Sequence, residues 1–242
     1  MRPAIDPELS ALLEGMPLVA EITADLLPQL RALSAVPAEA VLAGREIRRR
    51  EVEIAGTDGV PVPMTVLAPV DGRAGAPCVY WLHGGGRVMG DRFSQLDIPL
   101  EWLDELGAVV VTIDYRLAPE APGSTAVEDC YQGLLWIVEH AGELGIDADR
   151  IVVAGASAGG GLAAGITLLA RDRGTPVIAA QLLICPMLDD SGSTVSSHQY
   201  AGEPGVWTRE TNTFAWRAVG ALDAYVAPAR HDDLSRLPAS LS

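Results

Sequence analysis

The residues that most clearly indicate a chemical role are Gly155-Ala156-Ser157-Ala158-Gly159. This Gly-x-Ser-x-Gly sequence directly follows the apolar run 151–154 and opens a helix-like run of small residues. Glycine two residues to either side of the serine permits a sharp strand-to-helix turn, where a side chain would collide with a neighbouring element. The pattern therefore predicts a nucleophile elbow, with Ser157 exposed for acyl transfer.

A second glycine-rich sequence, His83-Gly84-Gly85-Gly86, ends another apolar run. Loops of this type supply backbone N–H groups that bind a carbonyl oxygen as it becomes negative, together with the N–H of the residue after the nucleophile. We therefore predict that Gly84, Gly85 and Ala158 form an oxyanion hole. We expect His83 to shape the loop through a structural hydrogen bond rather than to transfer protons.

The elements that must position these loops can be predicted from hydrophobic patterning. Four short, nearly continuous apolar runs are typical of parallel strands covered on both faces, and an alternating hairpin precedes them. Helical patterns separate the runs, so the order predicts an α/β fold with a doubly wound, mostly parallel sheet and helices on both faces. The predicted strands are 51–55, 62–68, 78–82, 108–113, 151–154 and 178–184, and the predicted helices are 94–106, 125–143 and 158–172.

The chain is predicted to form one structural domain with a cap. Residues 1–48 carry apolar residues at helical spacing between prolines and are interpreted as an N-terminal helical cap segment. Residues 49–188 form the α/β core. Residues 189–236 show no strand pattern and contain several aromatic residues, which indicates a helical cap insertion. Residues 237–242 are interpreted as the truncated start of a further strand.

Composition excludes several classes of function. The 242 residues, 49% of them hydrophobic, are enough to bury one core. A formal charge of −15 and a pI of about 4.5 oppose binding to nucleic acid or to anionic lipid, so a small neutral or apolar ligand fits better. The sequence shows neither a signal peptide nor an apolar run long enough to span a membrane.

The cysteines indicate a reducing compartment. Cys78, Cys130 and Cys185 are odd in number and lie within apolar runs, a pattern that favours buried, reduced thiols over a disulfide framework. We therefore expect a cytoplasmic protein.

Three motifs occur in an order that is specific to one enzyme family. They are His83 to Gly86, Asp114-Tyr115-Arg116-Leu117-Ala118-Pro119-Glu120 and Gly155 to Gly160. With the opening Asp6-Pro7-Glu8-Leu9, they make the chain resemble the bacterial hormone-sensitive-lipase-like serine esterases. The resemblance implies an α/β-hydrolase fold with a cap, and hydrolysis of short-to-medium acyl esters through an acyl-serine at Ser157. It implies no metal and no cofactor, and a structural role for residues 114–120. It does not predict the oligomeric state.

The chain departs from this family after the core. In the family, the catalytic acid and histidine follow the serine after two further strands. The resemblance assigns neither the acid nor the histidine to a residue of this chain. We therefore expect a C-terminally truncated, impaired esterase, because a serine hydroxyl without a base is a poor nucleophile. Asp189 with His198 or His231 would preserve the order serine, acid, histidine, but His231 lies in a stretch typical of a solvated loop.

Other departures concern the surroundings of the site. Ala156 stands where the family often has an acidic residue, and Arg87 stands where an aromatic residue is usual. Both leave the substrate preference open. Without further strands, residues 178–184 are expected to form an exposed apolar sheet edge that is prone to aggregation or unusual pairing.

Two alternative hypotheses remain. The chain could be a binding protein that keeps the cap and pocket but holds a small ligand without turning it over. The absence of a histidine favours this hypothesis, whereas the intact Gly-x-Ser-x-Gly sequence and glycine loop oppose it. The chain could also be an inactive, frameshifted product.

Overall fold

The computed structural model describes residues 2–16 and 18–242, apart from the side chain of Leu12. Met1 and Pro17, which belong to the predicted segment 1–48, lie outside this description. Seven strands form one sheet in the order β1-β2-β4-β3-β5-β6-β7. The strands are β1 (Ile47–Ala55), β2 (Pro61–Pro69), β3 (Ala76–Leu82), β4 (Val109–Ile113), β5 (Ile146–Ala156), β6 (Ala180–Ile184) and β7 (Ala239–Leu241).

Helices pack against the sheet. Their bounds are α1 (Pro7–Leu13), α2 (Leu27–Ser34), α3 (Ala38–Val41), α4 (Asp97–Leu106), α5 (Thr125–Glu139), α6 (Ala141–Leu144), α7 (Ala158–Arg173), α8 (Val195–Gln199) and α9 (Arg209–Val219). No helix in the described ranges is long and apolar enough to cross a membrane.

The sheet is antiparallel at one edge and parallel through its centre. β1 pairs with β2 and β2 with β4 in antiparallel register, whereas β3 lies parallel to both β4 and β5. Side chains of β3 alternate between two buried clusters: Cys78, Tyr80 and Leu82 face one, and Val79 and Trp81 face the other. The central strands read as continuous apolar runs because both of their faces are covered. The predicted α/β architecture, with a mostly parallel sheet between helices, is therefore confirmed.

The outer edge of the sheet differs from the expectation. β6 is not the edge strand, because its residues 180–182 pair in parallel with residues 239–241 of β7. The expectation that 178–184 is exposed as an unpaired edge was therefore wrong. β7 has only three residues, all of them exposed, and a strand this short is enough to satisfy part of the β6 backbone.

Several element boundaries also differ from the predicted ones. α4 begins at Asp97 rather than at residue 94, since Gln95 has a φ of 52° that a helix cannot contain. The predicted helix 125–143 is divided at His140, where the backbone leaves helical geometry between α5 and α6. β1 begins at Ile47, two residues before the predicted start of the core at residue 49.

The N-terminal segment packs against the segment that follows the core. Val19 forms an isolated antiparallel bridge with Gly205, and the Thr208 hydroxyl donates to the Ala20 carbonyl at 2.6 Å. Arg2 donates to the carbonyls of Glu203 and Pro204. Parts of residues 1–48 and 189–236 therefore lie together, which agrees with a shared cap. The division into cap and core stays a prediction.

An ion pair with a buried carboxylate holds the loop after β4 against α5. Arg116 donates through Nε and Nη2 to the two carboxylate oxygens of Asp129, at 2.9 and 2.7 Å, and its backbone N–H donates to the same carboxylate. Asp129 is fully buried, and Arg116 pairs with its carboxylate. A second carboxylate, Asp58, receives Nη1 at 2.6 Å but is exposed.

We expect Arg116→Met to lower the free energy of unfolding by about 3–5 kcal/mol, because it leaves a buried carboxylate without its cation. The matched control Asp58→Asn removes only the exposed partner and should cost less than about 1 kcal/mol. Urea denaturation followed by circular dichroism measures both. Equal, small effects of the two substitutions would contradict this account of the ion pair.

Candidate active site

Ser157 stands alone between β5 and α7 in a strained backbone conformation. Its φ is 55° and its ψ is −115°, a combination that costs a non-glycine residue about 1–3 kcal/mol. The backbone is held on both sides: the Ser157 N–H donates to the Ile184 carbonyl at 2.8 Å, and its carbonyl accepts from Met187 N–H at 2.8 Å. The predicted sharp turn is present, and β6 and the segment after it hold it in place.

Glycine is required at both flanks because the start of α7 presses against the end of β3. A Cβ at Gly159 would overlap the Leu82 carbonyl, and a Cβ at Gly155 would lie 2.7 Å from the Leu82 carbonyl oxygen. Real Cβ atoms do not approach a carbonyl oxygen so closely, so neither site accepts even alanine without a shift of backbone. The positive end of the α7 dipole is thereby held beside Ser157.

The glycine loop lies against Ser157, as the predicted oxyanion hole requires. A Cβ at Gly84 would lie 3.4 Å from the Cβ of Ser157. The N–H groups of Gly85 and Ala158 have no hydrogen-bond acceptor among the described residues. The Gly84 N–H, in contrast, donates to Oε1 of Gln95 at 2.8 Å. Two of the three predicted donors are therefore free, and the third is occupied by a side chain that the sequence analysis did not single out.

His83 is fixed inside the glycine loop. Its ring is 1% exposed and stacks on Tyr115 with ring centroids 4.2 Å apart. Nδ1 lies 2.7 Å from the Gly84 carbonyl oxygen, which requires the proton to be on Nδ1. Burial lowers the pKa of His83, so the ring is neutral at pH 7. The side chain thus shapes the loop, and it does not line the cavity beside Ser157.

A cavity of about 320 Å³ opens beside Ser157. Its walls come from the segment after β6 and from α8, α9 and their connection. The lining residues are Ser157, Cys185, Pro186, Met187, Leu188, Asp189, Gly192, Thr194, Ser196, Ser197, Tyr200, Trp207, Thr208, Arg209 and Asn212. Apolar side chains come from residues 186–188, and hydroxyl groups come from residues 194–197, so the cavity suits a small molecule with both apolar and polar parts.

The substitute triad considered above is not assembled in the described residues. Asp189 lines the cavity, but its carboxylate accepts from the backbone and hydroxyl of Ser191. His231 lies 3.3 Å from Asp172 at the far end of α7, and His198 contacts Arg209. The remaining histidine, His140, stacks on Trp136. Within the described ranges, no histidine forms a hydrogen bond with Ser157 and none lines the cavity.

Two further features of the site were not predicted. Cys185 is exposed and lines the cavity, so the expectation that all three cysteines are buried was wrong for this one. It stands at the end of β6 with a φ of 39°, where the chain turns away from the sheet. Trp207 contacts the glycine loop, since a Cβ at Gly86 would overlap its ring. In the described part of the chain, no three His, Cys, Asp or Glu side chains are close enough to hold a metal ion.

The chain is similar in sequence to several known esterases. Residues 79–241 match a family described by the alpha/beta hydrolase fold. Esterase LipI of Mycobacterium tuberculosis is 35% identical over 244 residues, covering 98% of this chain and 75% of the relative. Carboxylesterase NlhH of the same species is 35% identical over 252 residues, covering 98% and 76%. Hormone-sensitive lipase of Bos taurus is 40% identical over 111 residues, covering 46% of this chain and 15% of the lipase.

Solved structures give the same result. A bacterial heroin esterase superposes with a TM-score of 0.87 at 37% identity, covering 98% of this chain and 78% of the other. A hyperthermophilic esterase from the archaeon Pyrobaculum calidifontis superposes with a TM-score of 0.85 at 34% identity, covering 99% and 79%. Similarity at this level extends over nearly the whole chain and includes the elbow and the glycine loop.

The contact between α7 and β3 predicts the effect of a single methyl group. Gly159→Ala should lower the free energy of unfolding by about 3 kcal/mol or more, because the added Cβ overlaps the Leu82 carbonyl and forces backbone movement. Gly142→Ala is the matched control: its Cβ meets nothing within 4 Å, so it should be neutral or stabilising by up to about 1 kcal/mol. Thermal and urea unfolding of the two variants measure the difference. A Gly159→Ala protein as stable as the control would contradict the described turn.

Proposed function

Since the chain belongs to the α/β-hydrolase family, and within it to the hormone-sensitive-lipase-like esterases, we propose that Ser157 is its nucleophile in the hydrolysis of short-to-medium acyl esters. The single observation that carries this proposal is the placement of Ser157. The serine is held at a strained turn beside two unoccupied backbone N–H groups and opens into a cavity. A residue with a structural role alone has no need for this strain.

The reaction follows from this geometry. Ser157 Oγ attacks the ester carbonyl, and the carbonyl oxygen becomes negative at a position between the glycine loop and the start of α7. The N–H groups of Gly85 and Ala158 stabilise that oxygen, and the α7 dipole adds to their effect. The bond between the carbonyl carbon and the alcohol oxygen then breaks, and the alcohol leaves with a proton that replaces the one Ser157 lost to solvent. Water next hydrolyses the acyl-serine, which releases the acid and restores the Ser157 hydroxyl. Gly84 joins as a third donor once the Gln95 side chain gives way to the substrate oxygen.

The dimensions of the cavity support the proposed substrate class. A volume of about 320 Å³ lies at the lower end of the range of small-molecule sites. Met187 and Leu188 offer apolar surface for an acyl chain, and Trp207 closes the side that faces the glycine loop. Short-to-medium acyl groups fit such a space, whereas a long chain would have to leave through the cap.

We further propose that turnover by this chain is slow. Deprotonation of Ser157 requires a base, and the four histidines are engaged elsewhere or lie outside the cavity. Removing the histidine alone from a catalytic triad costs about as much rate as removing all three members, so binding and the oxyanion donors would sustain only residual catalysis.

One observation favours a second candidate function, the binding of a small ligand without turnover. The Gly84 N–H, one of the three proposed oxyanion donors, already donates to Oε1 of Gln95. A site that is filled by its own side chain and lacks a base is better suited to holding a ligand than to stabilising a transient oxyanion. The strain at Ser157 opposes this alternative, because a binding protein gains nothing from it.

A cytoplasmic location is part of the proposal, and the cysteines support it. Cys78 and Cys130 are free and buried, and burial raises the pKa of the Cys78 thiol to about 12. Both therefore remain protonated and unreactive. Cys185 is free and exposed at the cavity, where an oxidising compartment would leave it open to modification.

Hydrolysis of p-nitrophenyl acetate and butyrate, with and without added imidazole, tests the proposal. Without imidazole, the rate should lie within about one order of magnitude of that of Ser157→Ala, because no base serves the hydroxyl. Imidazole supplies that base, so it should raise the rate of the original chain well above that of Ser157→Ala measured in the same buffer. Mass spectrometry should find the acyl group on the peptide that contains Ser157.

The control is Ser197→Ala, which removes another hydroxyl from the same cavity and should respond to imidazole as the original chain does. Turnover far above that of Ser157→Ala without imidazole would show that a base is recruited, and His198→Ala and His231→Ala would identify it. Equal rates for the original chain and Ser157→Ala in all conditions, with saturable ester binding, would support the ligand-binding alternative.

A further inference from the structure

Arg87, the residue after the glycine loop, is buried without a partner. It is 1% exposed, and its backbone has a φ of 61°. Nε, Nη1 and Nη2 are all buried, and none has a hydrogen-bond partner among the described residues. An arginine side chain carries five N–H donors and no acceptor, so the site can be satisfied only by a group that accepts hydrogen bonds.

Among the described residues, no acidic side chain forms an ion pair with the positive charge of Arg87. Burial lowers the pKa of Arg87 to about 10, so the side chain is still a cation at neutral pH. Burial raises the pKa values of the neighbouring Tyr115 and Cys130 well above their ordinary values, so both are neutral. Asp223 is exposed and accepts from the backbone N–H groups of Tyr225 and Val226. It forms no ion pair with Arg87 in the described structure.

The guanidinium contacts the rings of Trp216 in α9. Its Cζ lies 5.5 Å from the centroid of the Trp216 rings, within the range of a cation–π interaction. Trp216 is 4% exposed, and its indole N–H has no acceptor among the described residues. The aromatic face offsets part of the cost of burying a cation, but the indole adds a further donor to a place that lacks acceptors.

The site is too enclosed for a part of the substrate to reach it. Arg87 is absent from the residues that line the Ser157 cavity. α7 closes one side, since Nη2 lies 3.4 Å from the position of a Cβ on Gly161. The occupant must therefore be small, must accept hydrogen bonds and must carry a negative charge. Water meets the first two requirements and fails the third.

We propose that Arg87 and Trp216 form a buried site for a small monovalent anion of the halide class. The anion compensates the guanidinium charge and accepts hydrogen bonds from its N–H groups. Because Arg87 extends the glycine loop and Trp216 belongs to α9, the bound anion stabilises the contact between them. The site is separate from Ser157, so the inference holds whether or not the chain hydrolyses esters.

Thermal unfolding in sodium chloride, sodium bromide and sodium gluconate at equal ionic strength tests the proposal. Gluconate is too large to enter the site. Chloride or bromide at ten times its dissociation constant should raise the Tm by about 3–6 °C relative to gluconate, because a ligand that binds only the folded state stabilises it. Arg87→Met should lose this difference and unfold at a higher temperature than the original chain in gluconate, since it removes an uncompensated buried charge.

Two controls keep the test decisive. Arg150→Met removes an exposed arginine and should keep the full halide dependence. If Arg87→Met does not fold, anomalous diffraction from crystals of the original chain grown in bromide decides the question. The expected result is a bromide peak within hydrogen-bonding reach of the Arg87 guanidinium. Equal Tm values in halide and gluconate, or a peak absent from this position, would overturn the proposal and leave water to satisfy the donors.

Discussion

The site depends on one close contact, between the start of α7 and the end of β3. Gly155 and Gly159 allow the backbone of the helix to rest on the carbonyl of Leu82, where a side chain on either residue would prevent it. This contact brings the helix terminus to the level of the glycine loop and forces Ser157 into its positive φ. The strain is sustained because the hydrogen bonds of Ser157 to Ile184 and Met187 fix the backbone from the opposite side. The stability of the surrounding sheet maintains the turn, because serine itself does not favour this backbone conformation.

Much of this arrangement could be predicted from the sequence because its signals are local. The continuous apolar runs of β3 and β5 show that both faces of these strands are buried, and the glycines mark the turns that follow them. Asp6 and Pro7 were recognised as part of an opening motif, and they start α1 as a capping residue and a first-turn proline. Elements with such signals were predicted to within a few residues.

What could not be predicted depends on contacts between residues far apart in the chain. Gln95 reaches Gly84 because a positive φ turns the chain just before α4. Cys185 was expected to be buried because it ends an apolar run, yet the chain turns outward at that residue. Residues 237–242 were interpreted as the start of a strand, but the pairing of β7 with β6 joins segments more than fifty residues apart and was not predicted.

The glycine loop shows how tertiary contacts determine the orientation of groups that a motif only identifies. Arg31 of α2 donates to the Val88 carbonyl at 2.7 Å and to the Ala118 carbonyl at 2.9 Å, which ties the loop to the N-terminal segment. Trp207 contacts the loop at Gly86, from the segment before α9. Glycine residues have the largest conformational freedom in the unfolded chain and cannot hold one orientation alone. The glycine loop is therefore held by residues from the N-terminal segment and from the segment before α9, at the place where we propose that the Gly85 N–H binds a substrate oxygen.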